Sequence, residues 1–224
     1  MKEFFPILTR CPLFDGIDPG DIPGLLACLG ADTVTAKKNT PVFSEGDPAR
    51  YVGIVLTGAV QIVRDDYYGN RTILTHAGPG ELIGESFACA AVEAMPVTVL
   101  ATEDSTVLRL DCCRITRTCS SACDFHNKII LNLLQVMAAK NLSFHKKLEI
   151  TARRTTREKL LAYLLWQAKT QQSAVFTIPF DRQGLADYLA VDRSAMSAEL
   201  SKLRKDGIID FDRSHFTLLT EVTV

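Results

Sequence analysis

The side chains best suited to recognise a ligand by hydrogen bonding lie between Asp181 and Gly207. This stretch predicts two short helices joined by a tight turn at 190–192, with Asp192 as the N-cap of the second helix and Gly207 after its end. Arginine, serine and lysine side chains remain on the outer face, where they can donate to base edges and phosphates. The residues predicted to contact DNA are Arg154, Arg182, Arg193, Ser194, Ser197 and Lys202.

The segment after the second helix strengthens this interpretation. Residues 208–211 and 215–218 predict two strands joined by Asp212-Arg213-Ser214, a wing-like hairpin. A helix pair alone occurs in many folds, whereas helix, turn, helix and hairpin together are far more specific for a DNA-binding domain. A basic cluster upstream suits phosphate contacts, although the net charge of the whole chain is −1. The cluster comprises Lys146, Lys147, Arg153, Arg154, Arg157 and Lys159.

A second candidate for chemistry is a group of thiols and one histidine. Cys119, Cys123 and His126 are spaced i, i+4 and i+7, so on a helix they share one face and could ligate zinc or another soft metal. The alternative is two small buried thiols beside a surface histidine. Seven cysteines, with Cys112 and Cys113 adjacent, do not form a secreted disulfide pattern, so we expect reduced thiols. A redox role for them is a further alternative.

The elements that must position these residues begin with a β-rich region from about residue 32 to 111. It alternates short apolar runs with Gly, Pro and Asn turn signals, which predicts a closed antiparallel roll. One or two short helices are expected before it, between residues 4 and 30. The predicted strands are 34–36, 41–43, 51–56, 59–64, 71–76 and 97–110.

A long helix is predicted from about residue 122 to 149, where apolar residues recur at spacings of four and three. A narrow stripe of this kind favours pairing with a second copy, and Asn141 is the polar residue that can fix the register. The alternative is a core helix packed on the β-domain. The predicted dimerisation residues are Ile130, Leu134, Met137, Asn141, Phe144 and Leu148.

Three phrases resemble the Crp/Fnr family of regulators: FSEGDPARYVGIVLTGAVQIV, PGELIGE at 79–85, and GLADYLAVDRSAMSAELSKLRKDGII. The resemblance implies an α+β fold: an antiparallel β-roll (double-stranded β-helix or jelly roll), a long dimerisation helix and a winged helix-turn-helix. The corresponding domains would span 1–120, 121–149 and 150–224. It also implies a homodimer on a near-palindromic operator of double-stranded DNA, and contact with RNA polymerase if the protein is an activator.

The chain departs from the family where cyclic nucleotides bind. Gly84 and Glu85 match, but Met95-Pro96 replaces the Arg-Ser pair, and no Lys or Arg lies between Arg71 and Arg109. A buried phosphate without a cation is costly, so cyclic AMP is not expected. An unidentified small molecule would occupy the site, unless the roll is filled by its own side chains. Its predicted lining is Leu82, Ile83, Gly84, Glu85, Ser86, Met95, Val97, Leu131 and Leu134.

Other departures concern the iron–sulfur branch of the family and the recognition helix. Cys11 and Cys28 alone cannot supply four cluster ligands near the N-terminus. Arg193 matches the first base-reading position of the family, but Ser194 replaces a Glu and Ala198 replaces a second Arg, so a different operator is expected.

The remaining features bound the class of protein. No catalytic motif, signal peptide or apolar run of transmembrane length is present, which predicts a cytoplasmic protein that is not an enzyme. A regulatory subunit that binds a ligand but not DNA is the main alternative.

Overall fold

A computed structural model describes residues 2–116 and 124–219. The chain divides into two compact units, one of residues 1–64 and 74–141 and the other of residues 65–73 and 142–224. This division differs from the boundaries expected from the sequence, because it falls within the long helix and assigns the tip of one β-hairpin to the C-terminal unit.

The N-terminal unit is built on two antiparallel four-stranded sheets, with the strand orders β1-β8-β3-β6 and β2-β7-β4-β5. The strands of the first sheet are β1 (Asp32–Ala36), β8 (Ser105–Asp111), β3 (Tyr51–Thr57) and β6 (Leu82–Ile83). Those of the second are β2 (Pro41–Phe43), β7 (Thr98–Ala101), β4 (Val60–Asp65) and β5 (Arg71–Ala77). The expected β-roll is therefore present. The segment predicted as one strand at 97–110 is two strands, separated by a turn at 102–104.

Strand β3 shows how the sheets form the core. Successive side chains of a strand point to opposite faces, and on β3 both faces are buried. Ile54 and Leu56 point into a cluster shared with the N-terminal helices, whereas Val55 points into a cluster between the two sheets. This two-sided burial explains why β3 is a nearly continuous apolar run in the sequence.

Short helices cover the roll. They are α1 (Phe5–Leu8), α2 (Ile22–Cys28), α3 (Glu85–Cys89) and α4 (Cys112–Thr116), with 3-10 turns at Lys2–Phe4 and Pro12–Phe14. The sequence predicted short helices near the N-terminus but neither α3 nor α4.

The long helix α5 spans Asp124–Thr151, close to its predicted limits. Ile129 and Leu133 are buried in the cluster that holds the N-terminal helices. Asn132, also buried, donates to the backbone carbonyls of Leu13 and Asp15 at 3.0 and 2.9 Å. One face of α5 is therefore fixed to the β-roll, as the core-helix alternative required. None of the helices in the described part of the chain is long and apolar enough to cross a membrane.

In its described part, the C-terminal unit contains the end of α5, three complete helices and a small sheet, as expected of a winged helix-turn-helix. The helices are α6 (Thr156–Thr170), α7 (Arg182–Leu189) and α8 (Arg193–Lys205). The sheet has the order β10-β11-β9, with β9 at Val175–Thr177, β10 at Ile209–Asp212 and β11 at His215–Leu218. Its core includes the rings of Tyr163, Phe180 and Tyr188, whose centroids lie 4.9–6.3 Å apart.

Candidate functional site

Helix α8 presents its first turn to solvent. Met196, Leu200 and Leu203 are buried, which places the opposite face of the helix outward. Ala190 ends α7 in the left-handed region, with φ 51° and ψ 60°, and turns the chain into α8. Asp192 caps α8, as predicted, by accepting from the backbone N–H of Ala195 at 2.8 Å. The pKa of Asp192 is lowered by its hydrogen bond from Ser194 and then by that from Ala195.

The residues predicted to read DNA divide into free and engaged side chains. Arg193 is exposed, and no hydrogen bond or ion pair of its side chain occurs within the described residues. The Ser194 hydroxyl donates to Asp192, so it belongs to the cap. Ser197 is half-buried, and Lys202 pairs with Glu199 at 2.6 Å. Of the four residues of α8 predicted to contact DNA, Arg193 is the one that is exposed without a side-chain partner among the described residues.

Arg182 has a different environment from the one expected of a DNA contact. It is half-buried, and its guanidinium lies 4.6 Å from the ring centroid of Phe211 and 5.5 Å from that of Phe216. Burial lowers its pKa first, and the charge of Arg204 lowers it further. Arg204 covers the same Phe211 ring at 3.9 Å and pairs with Asp210 at 2.8 Å. Both arginines thus stabilise the wing.

Several cations of the upstream basic cluster have partners within the protein. Arg157 pairs with Asp206 at 2.9 Å, and the Lys159 ammonium lies 3.4 Å from the carbonyl oxygens that end α7. Arg154 is exposed, with no ion pair among the described residues. It precedes Thr155, which caps α6 in a reciprocal capping box with Glu158. Arg154 is therefore held near a helix start with its charge available to a phosphate.

The β-roll holds a second site, centred on Glu85. Gly84 adopts φ +75°, a conformation that favours glycine, and leads the chain into α3. Glu85 is only 3% exposed, and its Oε1 lies 2.8 Å from the Lys140 ammonium on α5. Lys140 also donates to the carbonyl of Leu82 at 2.5 Å. The other carboxylate oxygen, Oε2, is buried and has no hydrogen-bond partner among the described residues.

Sequence reasoning missed Lys140, although a signal exists. Lys140 lies seven residues after Leu133 and eleven after Ile129, so all three share the helix face that packs on the roll. Their sequence distance from Glu85 hides the contact. The structure thus supplies a cation beside Glu85, but from the long helix rather than from the segment after β6.

The predicted lining of the effector site is only partly assembled. Ile83, Met95 and Val97 are buried together between the sheets, whereas Leu82 points into the other cluster and Ser86 is exposed. These three side chains form part of the core between the sheets. Leu131 and Leu134 are wrong as lining residues. Both are exposed, because the helix rotation that buries Leu133 turns them away from the roll.

The predicted dimerisation stripe needs one correction. Leu134, Asn141, Phe144 and Leu148 are exposed, as a surface awaiting a partner requires. Met137 is half-buried and packs against the cluster beneath α5, so it lies on the wrong face. Ile130 is half-buried at the edge of the stripe. The exposed positions at spacings of three and four are Leu131, Leu134, Ala138, Asn141, His145 and Leu148.

The candidate metal site is only partly visible. Cys119 and Cys123 lie outside the described residues. His126 is 2% exposed, and its Nε2 lies 3.2 Å from the carbonyl oxygen of Arg114, so it is not the surface histidine of the alternative interpretation. In residues 2–116 and 124–219, no group of three or more potential ligands is arranged to hold a metal. The zinc hypothesis stays a prediction.

Comparison with known proteins adds two family matches. Residues 33–121 match the model of the cyclic nucleotide-binding domain, and residues 158–221 match that of the Crp-like helix-turn-helix domain. The chain is 34% identical over 79 residues to the CRP-like cAMP-activated global transcriptional regulator of Mycobacterium tuberculosis. That match covers 35% of this chain and 34% of the other, so it spans about a third of the length of that relative.

Longer but weaker matches cover most of the chain. The nitrogen fixation regulation protein FixK of Bradyrhizobium diazoefficiens is 25% identical over 195 residues, covering 82% of this chain and 76% of FixK. Among solved structures, the c-di-GMP-responsive global regulator CLP of Xanthomonas campestris superimposes with a TM-score of 0.74 at 20% identity. That superposition covers 91% of this chain and 100% of the other, and it establishes the shared fold.

Proposed function

Because the chain belongs to the Crp/Fnr family of regulators, we propose that it is a sequence-specific DNA-binding transcription regulator that acts as a homodimer in the cytoplasm. A small-molecule effector at the β-roll controls it, and as an activator it would contact RNA polymerase. The observation that carries the proposal is the outward-facing first turn of α8, with Arg193 exposed beside a well-formed N-cap.

Recognition of DNA follows from the chemistry of this surface. The N-terminal turn of a recognition helix enters the major groove, where an arginine can donate two hydrogen bonds to guanine O6 and N7. Arg193 has the exposure this contact needs, and Arg154 supplies a separate cation for the phosphate backbone. The wing is held by the stacking of Arg182 and Arg204 on Phe211. In this proposal Arg193 selects the DNA sequence, whereas Arg154 contributes affinity for any DNA.

The homodimer is supported by apolar side chains that one chain leaves in water. Leu131, Leu134, Leu142 and Leu148 of α5 are 52–71% exposed. Burying the remaining exposed part of each leucine against a second copy is worth about 1–2 kcal/mol. Asn141, exposed within the same stripe, would pair with its counterpart and favour a parallel register. The two recognition helices would then address half-sites about 34 Å apart.

The effector proposed for this site is not cyclic AMP. The segment after Glu85 provides no Arg, and the nearby Lys140 ammonium is already paired with Glu85 and Leu82. A phosphate entering here would lack a free counter-ion and would bring its charge close to the Glu85 carboxylate. An effector with hydrogen-bond donors suits the unpartnered Oε2 of Glu85 better.

The test is selection of the purified full-length protein against random duplex DNA, followed by fluorescence anisotropy on the enriched sequence. We expect a near-palindrome with half-sites one helical turn apart and an affinity that falls steeply with salt as counterions are released. Lys38→Ala serves as the control: it removes one exposed cation from the β-roll, away from the predicted DNA contacts, and should bind DNA like the parent. Lack of enrichment, both alone and with small-molecule extract added, would overturn the proposal.

A further inference from the structure

Two cysteines of the N-terminal unit lie in contact although 23 residues separate them in sequence. The Sγ atoms of Cys89 and Cys112 are 3.6 Å apart. Cys89 is the last residue of α3, and Cys112 is the first residue of α4. A disulfide has an S–S distance of about 2.05 Å, so closure of this pair would bring the two sulfur atoms about 1.5 Å closer.

The two thiols differ in access and acidity in the way that a reactive pair requires. Cys89 is half-buried, whereas Cys112 is 4% exposed. The side-chain contact with Cys112 lowers the pKa of Cys89 more than burial and the charge of Glu85 raise it. The pKa of Cys112 is raised, first by its contact with Cys89 and then by burial. The more accessible thiol is therefore the stronger acid, and the buried thiol stands behind it as a partner.

We propose that Cys89 and Cys112 form a peroxide-reactive dithiol that closes reversibly to a disulfide and thereby regulates the effector site. The regulatory part of this inference rests on the proposed function. Neither cysteine is a member of the candidate group of Cys119, Cys123 and His126, and both lie among the described residues.

The oxidation proceeds in two steps with a hydroperoxide as the oxidant. The Cys89 thiolate attacks the O–O bond, which breaks as an S–O bond forms; the alcohol or water leaves with the thiol proton, and Cys89 becomes a sulfenic acid. The Cys112 sulfur then attacks the Cys89 sulfur, forming the S–S bond and releasing water. Two thiols and one hydroperoxide thus give one disulfide, one alcohol or water, and one further water. A dithiol reductant reverses the change.

The position of the pair connects it to the effector site. Glu85 lies one helical turn before Cys89 on α3, close enough for its charge to act on that thiol. Cys112 is anchored on its other side, because its backbone N–H donates to the carbonyl of Arg50 at 3.1 Å. A disulfide would therefore tie the helix that carries Glu85 to a fixed point at the end of β8. Glu85 would lose freedom to move away from Lys140 when an effector enters.

The experiment treats reduced full-length protein with one equivalent of hydrogen peroxide, alkylates the remaining thiols and maps the linked peptides by mass spectrometry. We expect a Cys89–Cys112 crosslink that dithiothreitol reverses. Cys112→Ser should instead accumulate a Cys89 sulfenic acid that dimedone traps. Cys113→Ser is the matched control, because it removes the exposed neighbouring thiol and should leave the crosslink intact. Oxidation confined to Cys28, Cys113 or other cysteines would overturn the proposal.

DNA affinity then tests the regulatory part. The oxidised protein should bind its selected operator at least fivefold differently from the reduced protein, and Cys89→Ser should abolish the difference. A crosslink that leaves affinity unchanged would overturn regulation by this pair. Loss of operator binding in both redox states, with the crosslink still formed, would instead contradict the proposed DNA-binding function.

Discussion

Replacing Lys140 with Met should destabilise the β-roll far more than replacing its partner Glu85 with the neutral Gln. The Glu85 side chain is 4% exposed and that of Lys140 27%, with 2.8 Å between the charged atoms. Lys140→Met leaves the buried Glu85 carboxylate without its cation, and one oxygen of this carboxylate lacks a hydrogen-bond partner even in the parent. The free energy of unfolding should therefore fall by about 3–5 kcal/mol. Glu85→Gln retains an acceptor for the ammonium, which can also reach water, so about 1–2 kcal/mol is expected.

The combination of the two changes gives the sharpest result. Adding Glu85→Gln to Lys140→Met removes the orphaned charge, so the double variant should be about 2 kcal/mol more stable than Lys140→Met alone. Urea unfolding followed by far-ultraviolet circular dichroism, at one fixed protomer concentration, measures these differences. Lys38→Met, at an exposed lysine of the same unit, should lie within about 0.5 kcal/mol of the parent. A Lys140→Met loss below about 1 kcal/mol, or a double variant weaker than it, would refute the reasoning.

Three further predictions concern the C-terminal unit and the long helix. Arg193→Ala should relax sequence preference by about 1–3 kcal/mol at one base pair, whereas Arg154→Ala should weaken all DNA alike and reduce the salt slope by about 1; identical behaviour in competitive anisotropy would contradict these roles. Burial lowers the pKa of Lys147 to about 8, and its ammonium lies 4.2 Å from the ring centroid of Tyr188. The pKa of Lys147 in the folded protein lies below the ordinary 10.5, so burial of the charged ammonium lowers the free energy of unfolding by its full amount below pH 8. Lys147→Met should therefore raise the free energy of unfolding by about 1 kcal/mol at pH 7. In thermal melts this gain should fade between pH 8 and 10.5. A gain that grew with pH would be inconsistent with this burial. Leu134→Glu should convert the proposed dimer into monomers in sedimentation equilibrium, while an unchanged mass would place the interface elsewhere.

The features that the sequence predicted well depend on neighbouring residues. The cap Asp192 accepts a hydrogen bond from the backbone N–H of Ala195, three residues ahead, so its signal lies within one helical turn. The winged helix-turn-helix was therefore predictable. The turn at 102–104 contains neither Gly nor Pro, which is why the sequence predicts one strand where the structure has β7 and β8.

The features that it missed depend on distant contacts. A heptad stripe through Met137 and one through Ala138 share Leu134, Asn141 and Leu148, so spacing alone cannot separate them. Because Met137 packs on the N-terminal cluster, the stripe through Ala138 is the exposed one. The Lys140–Glu85 pair spans 55 residues, and the Cys89–Cys112 contact spans 23. No local pattern records such pairings, because each depends on how the whole roll closes.

In α8, the residues that fix the helix in the core differ from those that face solvent, and this bears on how a regulator of this kind acquires new DNA targets. Met196, Leu200 and Leu203 fix the helix in the core, and Asp192 fixes its start, whereas the side chains of Arg193 and Ala198 add little to the packing. Under the proposed function, substitutions at these two exposed positions would change the DNA sequence that is bound, at nearly constant melting temperature. Gene duplication followed by drift at these positions would yield regulators with separate targets and an unchanged scaffold.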